Sequence, residues 1–142
     1  MTASVDDALD RLRRQDAAAP EPGATLTIAE MAERTGLTAH TLRYYERIGL
    51  LEIARDAAGH RVYSADDFGR VVFLNRLRTA GMPIRELQRY VALVAAGTQT
   101  EPERLRMLLE HRDAVRAQLH ELTFALETIE FKIAAYGGAC AP

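Results

Sequence analysis

Apolar residues recur at helical spacing in four short stretches of this chain and in one long stretch near its end. Start and stop signals bracket the short ones. A hydroxyl followed three residues later by an acid lets each side chain satisfy an orphan backbone N–H, and that pairing occurs at Thr27 and Glu30, Ser64 and Asp67, and Thr100 and Glu103. Gly36, Gly81 and Gly97 stand where helices would stop, and Pro83 suits the first turn of another. The pattern predicts short helices near 27–35, 38–48, 64–80 and 83–96. Between Gly49 and Tyr63 the period drops to two, in Leu51-Glu52-Ile53-Ala54-Arg55, then the turn Asp56-Ala57-Ala58-Gly59, then His60-Arg61-Val62-Tyr63. That alternation predicts a small β-hairpin in a mostly α protein.

From about Pro102 to Tyr136 the apolar positions step alternately by four and three, through Leu108, Val115, Leu119, Leu122, Leu126, Ile129, Ile133 and Tyr136, with Arg112 the single interruption. A repeat of ~3.5 held over four heptads is the seam of a coiled coil, whereas a helix packed on its own core drifts toward ~3.6. At ~1.5 Å per residue the helix spans roughly 50 Å, more than the short helices before it could cover. A second copy of the chain is expected to cover it.

Composition narrows the class. The chain has 142 residues, 48% of them hydrophobic and 27% charged, which fits about one globular domain and neither a disordered nor a fibrous chain. Its longest purely apolar run, Tyr90 to Ala96, is far short of the ~18 residues of a membrane span, and the acidic N-terminus does not read as a signal peptide. The expectation is a cytoplasmic protein without a membrane partner. Residues 23–100 carry 10 basic and 8 acidic groups, against 3 and 5 before them and 5 and 7 after them, so only the middle is positive. Residues 1–23 end in the breaker cluster Pro20-Glu21-Pro22-Gly23 and read as a mobile arm.

That positive middle holds the strongest local signal. Leu26 to Leu50 reads as two helices around a tight turn at Gly36, with Ala32 permitting close approach and Leu42 locking the second helix onto the first. This is the logic of a helix-turn-helix. On the second helix Leu42, Tyr45 and Ile48 form an apolar stripe, while His40, Arg43, Tyr44 and Arg47 share another face. Arginine can fork onto guanine or phosphate, tyrosine can donate to phosphate, and the helix start at Thr38 favours an anion. The hairpin follows immediately, with Arg55 and His60-Arg61-Val62-Tyr63 as a candidate wing on a DNA backbone.

Taken together these blocks resemble the MerR family of transcription regulators. The resemblance rests on Thr27-Ile28, Glu30, Ala32 and Thr35-Gly36-Leu37; on Thr41-Leu42-Arg43-Tyr44-Tyr45-Glu46 and Gly49-Leu50-Leu51; on Arg55, Gly59-His60-Arg61 and Tyr63; and on Leu74, Leu77-Arg78, Gly81-Met82, Ile84 and Glu86-Leu87. The ending Ile129 to Tyr136 is similar to the dimer helix of many members, so the likeness covers roughly residues 26–136. It implies a winged helix-turn-helix DNA-binding domain at 24–98, an antiparallel dimerisation helix at 99–136 and a short tail at 137–142. It also implies a homodimer on a near-palindromic operator of double-stranded DNA within a promoter spacer, which is bent and untwisted for RNA polymerase. By motif position, Arg43 and Tyr44 contact DNA from the recognition helix, and Arg55, His60, Arg61 and Tyr63 from the wing. Thr38, His40 and Thr41 are secondary candidates at the helix start. Tyr45 belongs to the core, and Arg78 and Arg85 are either phosphate contacts or solvated.

The input signal is not legible. Metal-sensing and redox members of that family carry sets of cysteines, and this chain has one, Cys140, after Gly137-Gly138, where it reads as an incidental thiol. Six residues after Tyr136 cannot enclose a ligand cavity. His111 and His120, nine apart on different helix faces, read as surface histidines rather than metal ligands, and no cofactor is required. An enzyme is disfavoured because His40 and His60 lack a nucleophile or carboxylate constellation. The alternative function is a helical coiled-coil interaction module that has lost DNA binding.

Overall fold

The computed structural model describes residues 18–138 and contains five α-helices and one hairpin. Helix α1, Ile28–Thr35, begins in a full capping box, with the Thr27 hydroxyl accepting from the Glu30 N–H and the Glu30 carboxylate accepting from the Thr27 N–H, both at 3.1 Å. It stops at Gly36, whose φ of 74° is left-handed and whose N–H donates to the Ala32 carbonyl. Helix α2, Ala39–Arg47, starts at Thr38, packs on α1 and buries Leu42 and Tyr45. Strands β1, Ala54–Arg55, and β2, Arg61–Val62, pair antiparallel with Ala54 opposite Val62 and Arg55 opposite Arg61. Leu26 and Tyr63 exchange two 2.8 Å backbone hydrogen bonds, which tie the chain entering α1 to the hairpin.

Helix α3, Ala65–Thr79, begins in the second capping box, Ser64 with Asp67, and α4, Ile84–Ala96, follows the turn at Gly81 and Pro83. The third anticipated box is absent. A single 3-10 turn, Thr98–Thr100, precedes the last helix, and the Thr100 hydroxyl donates back to the carbonyls of Leu93 and Gly97 instead of capping forward. Glu103 is bonded to Arg89 of α4. A link between two helices replaces the local cap.

The core gathers under α1 to α4, with Met31, Leu42, Tyr45, Leu50, Leu74 and Leu87 almost fully buried. Helix α5, Glu101–Ala135, packs on α4 along its first half, where Met107 is buried and Gln118 reaches Gly81. Ten large apolar side chains from Leu105 to Tyr136 are at least 40% exposed; six of them lie on the four-three seam, and Leu105 stands one step before Leu108 in the same pattern. The other three include Phe124 and Phe131, seven apart on the face opposite that seam. Leu108 and Val115, at the near end of the seam, are half-buried.

The arm expected over residues 1–23 is only partly described. Its far end is docked: Pro20 is buried, and Arg34 donates to the Ala18 carbonyl at 3.1 Å. Residues 1–17 and Cys140 lie outside the described residues. Among the described residues no helix is long and apolar enough to cross a membrane.

Candidate nucleic-acid interface

The recognition face forms because Thr38 can start a helix. Its hydroxyl accepts from the Thr41 N–H at 3.1 Å and donates to the Thr41 hydroxyl at 3.0 Å, so both threonines serve the cap. From that start, His40, Arg43 and Arg47 point outward and are exposed. Tyr44 is half-buried against the core, with the Arg47 guanidinium 5.3 Å above its ring. Tyr45, one residue on, is fully buried as anticipated, and its phenol donates to Asn75 and accepts from Arg78. Arg78 is thereby committed to the underside of the recognition helix.

The wing owes its shape to Asp56. One carboxylate oxygen accepts from the N–H groups of Ala58 and His60, closing the turn that Gly59 completes at a φ of 85°. Those hydrogen bonds, led by that from His60, hold the Asp56 carboxyl below its ordinary range. The His60 imidazole is 79% exposed and 3.6 Å from the other Asp56 oxygen, a contact that becomes an ion pair when the ring is protonated.

A link between wing and recognition helix comes from Glu46, to which the sequence assigns no role. Its carboxylate accepts from Arg61 Nε at 2.9 Å and lies 3.5 Å from Arg55 Nη2, while Arg55 also donates to the Gly59 carbonyl. Glu46 and Arg61 side chains are only 20% and 22% exposed. One acid therefore orients both wing arginines. The periodicity did carry a signal: Glu46 lies three residues beyond Arg43 on α2, on the edge facing the hairpin.

Arg43, Arg55, His60 and Arg61 line a single cleft of about 560 Å³ between α2, the wing and the start of α1. Four cationic or protonatable groups thus converge where a phosphate backbone could run, with the carboxylates of Glu30 and Asp56 also in the wall. Tyr63 does not join them. It is fully buried, its hydroxyl has no hydrogen-bond partner among the described residues, and desolvation raises its pKa against the opposing pull of nearby Arg61. The pairing with Leu26 turns β2 so that Tyr63 faces the core, which corrects its assignment to the DNA face. His111 is half-buried, and no cluster of potential metal ligands occurs among the described residues.

Comparison with known proteins places this geometry. Residues 26–93 match the description "MerR HTH family regulatory protein", and residues 68–130 match "MerR, DNA binding". An uncharacterized HTH-type transcriptional regulator of Haemophilus influenzae is 34% identical over 113 residues, covering 79% of this chain and 84% of that protein. Among solved structures, HiNmlR, a MerR family regulator lacking the sensor domain and bound to promoter DNA, superposes with a TM-score of 0.75 at 33% identity, over 80% of this chain and 91% of that one. A putative MerR family transcriptional regulator from Listeria monocytogenes gives 0.75 at 36% identity, over 79% and 86%.

Proposed function

This chain belongs to the MerR family of helix-turn-helix regulators and is a DNA-binding transcription regulator, and from that premise we propose how it works. Two copies pair through α5 and present two recognition helices to a near-palindromic operator. In each copy α2 enters the major groove, Arg43 reads or clamps the groove wall, and Tyr44 approaches a phosphate beside Arg47. Thr38 and Thr41 set the start of that helix, and His40 lies on its leading edge. The wing runs along the backbone, with Arg55, His60 and Arg61 facing phosphate oxygens. The unit over 24–98 binds DNA and the helix over 99–136 joins the copies. With two clamps held at fixed separation, deformation of the intervening spacer is the route by which RNA polymerase gains or loses the promoter.

The observation that carries this reading is the convergence of Arg43, Arg55, His60 and Arg61 on one cleft between helix and wing. A coiled-coil interaction module needs no such cleft, and the relatives give that alternative no support. Catalysis has no part in the proposed mechanism. The test is Arg43→Ala, measured by fluorescence anisotropy on operator and on scrambled DNA at fixed salt. Specific affinity falls by about 1–3 kcal/mol, while circular dichroism is unchanged. Unaltered operator affinity would remove Arg43 from the interface.

A further inference from the structure

Phe73 of α3 is 40% exposed and tilts against Tyr90 of α4, with ring centroids 5.7 Å apart at 48°. Beside the two rings lies a cavity of about 240 Å³, whose wall also includes Val94 and Arg104. Arg104 is fixed there by hydrogen bonds to the Thr100 hydroxyl and the Gly97 carbonyl. It immediately precedes Leu105, which is 57% exposed and stands one heptad before Arg112 on the seam. The seam therefore begins at the edge of this aromatic cavity. At its other end stands Tyr136, 79% exposed.

Resting on the dimer reading above, we propose that the partner's Tyr136 docks at this cavity, against Phe73, Tyr90 and Arg104. In a two-fold antiparallel pair the register that gives every seam residue a counterpart sets Leu119 opposite the partner's Leu122 and Val115 opposite the partner's Leu126. It continues with Arg112 opposite the partner's Ile129, Leu108 opposite the partner's Ile133, and Leu105 opposite the partner's Tyr136. A slip of one heptad either way strands two seam residues of each chain in water, so burial selects this register. The phenol ring arrives one residue from Arg104, on the flank where α4 covers α5 at Met107. Two tilted rings and a fixed guanidinium are the surroundings a third aromatic ring prefers. Phe73, otherwise an exposed aromatic without a covering element, gains a partner. Each α3–α4 pair is then braced by the other chain's helix end, which sets the angle and spacing between the two recognition helices.

Photo-crosslinking tests this on the full chain with p-benzoylphenylalanine at position 136. Residue 136 lies roughly 50 Å along the helix from its own Arg104, so an adduct to the cavity must join two chains. The expected product is a two-chain species with mass-spectrometric adducts on residues 70–94 or 104–108. Adducts confined to the middle of α5, in a protein that light scattering shows to be dimeric, would overturn the docking and leave the dimer reading intact. A monomeric mass would overturn both. Tyr136→Ala keeps the dimeric mass and weakens operator binding at least tenfold, and Tyr136→Phe restores it; an alanine variant that binds as wild type would refute the bracing role.

Discussion

Glu46 is the residue on which the wing depends. Its carboxylate takes a 2.9 Å bond from Arg61 and lies 3.5 Å from Arg55, so Glu46→Gln weakens the tie and leaves both cations freer. The variant loses about 1 kcal/mol of stability, a modest amount because the pair is partly solvated. Its binding to scrambled DNA strengthens with salt slope steeper by up to ~0.9, while preference for operator falls, because a freer wing gains phosphate contact and loses aim. Anisotropy titrations across a salt series check both arms. Tyr63 makes the opposite case. Its buried hydroxyl has no partner among the described residues, so Tyr63→Phe binds operator as wild type and is as stable or up to about 1 kcal/mol more stable in thermal melts. A loss of affinity in that variant would return Tyr63 to the interface.

Among the elements, the helices read most clearly from sequence, because their signals are local. Thr27 with Glu30 and Ser64 with Asp67 form the boxes that their spacing announces, and Gly36 takes the left-handed turn. Thr100 with Glu103 has the same spacing and forms none, since Arg89 of another helix captures the acid and the threonine bonds backward. A local pattern cannot register a competitor fourteen residues away on another helix. The same reason hid Tyr63: alternation correctly announced a strand, but which face points inward depends on the bridge to Leu26. The shared face of the candidate residues on α2 is legible because one helix orders them, whereas the role of Glu46 requires the hairpin to fold back. The hairpin turn also carries a pH dependence. Asp56 is held below the ordinary carboxylate range in the folded state, so its contribution is present above that range and is lost as pH falls through the lowered value. Amide exchange at Ala58 and His60 quickens on that acid limb, and Asp56→Asn removes the limb.

At the scale of the whole molecule, the chain divides between a buried core under α1 to α4 and a helix whose apolar seam is bare from Leu119 to Tyr136. Exposure of that many large side chains is unfavourable for an isolated chain and is relieved by pairing along the seam. Leu126→Glu, at the heart of the seam, shifts the protein to one-chain mass in light scattering. It also weakens operator binding at least a hundredfold, since linked half-sites typically contribute ~10²–10⁴ in avidity. The central claim is that two recognition helices and two wings engage one operator together. Hydroxyl-radical footprinting of the purified protein on the DNA upstream of its own coding sequence tests it most directly. The account predicts two protected patches related by a dyad, their centres one helical turn of about 10 base pairs, or a small multiple of it, apart. A single patch, or protection that never rises above that on scrambled DNA, would contradict it.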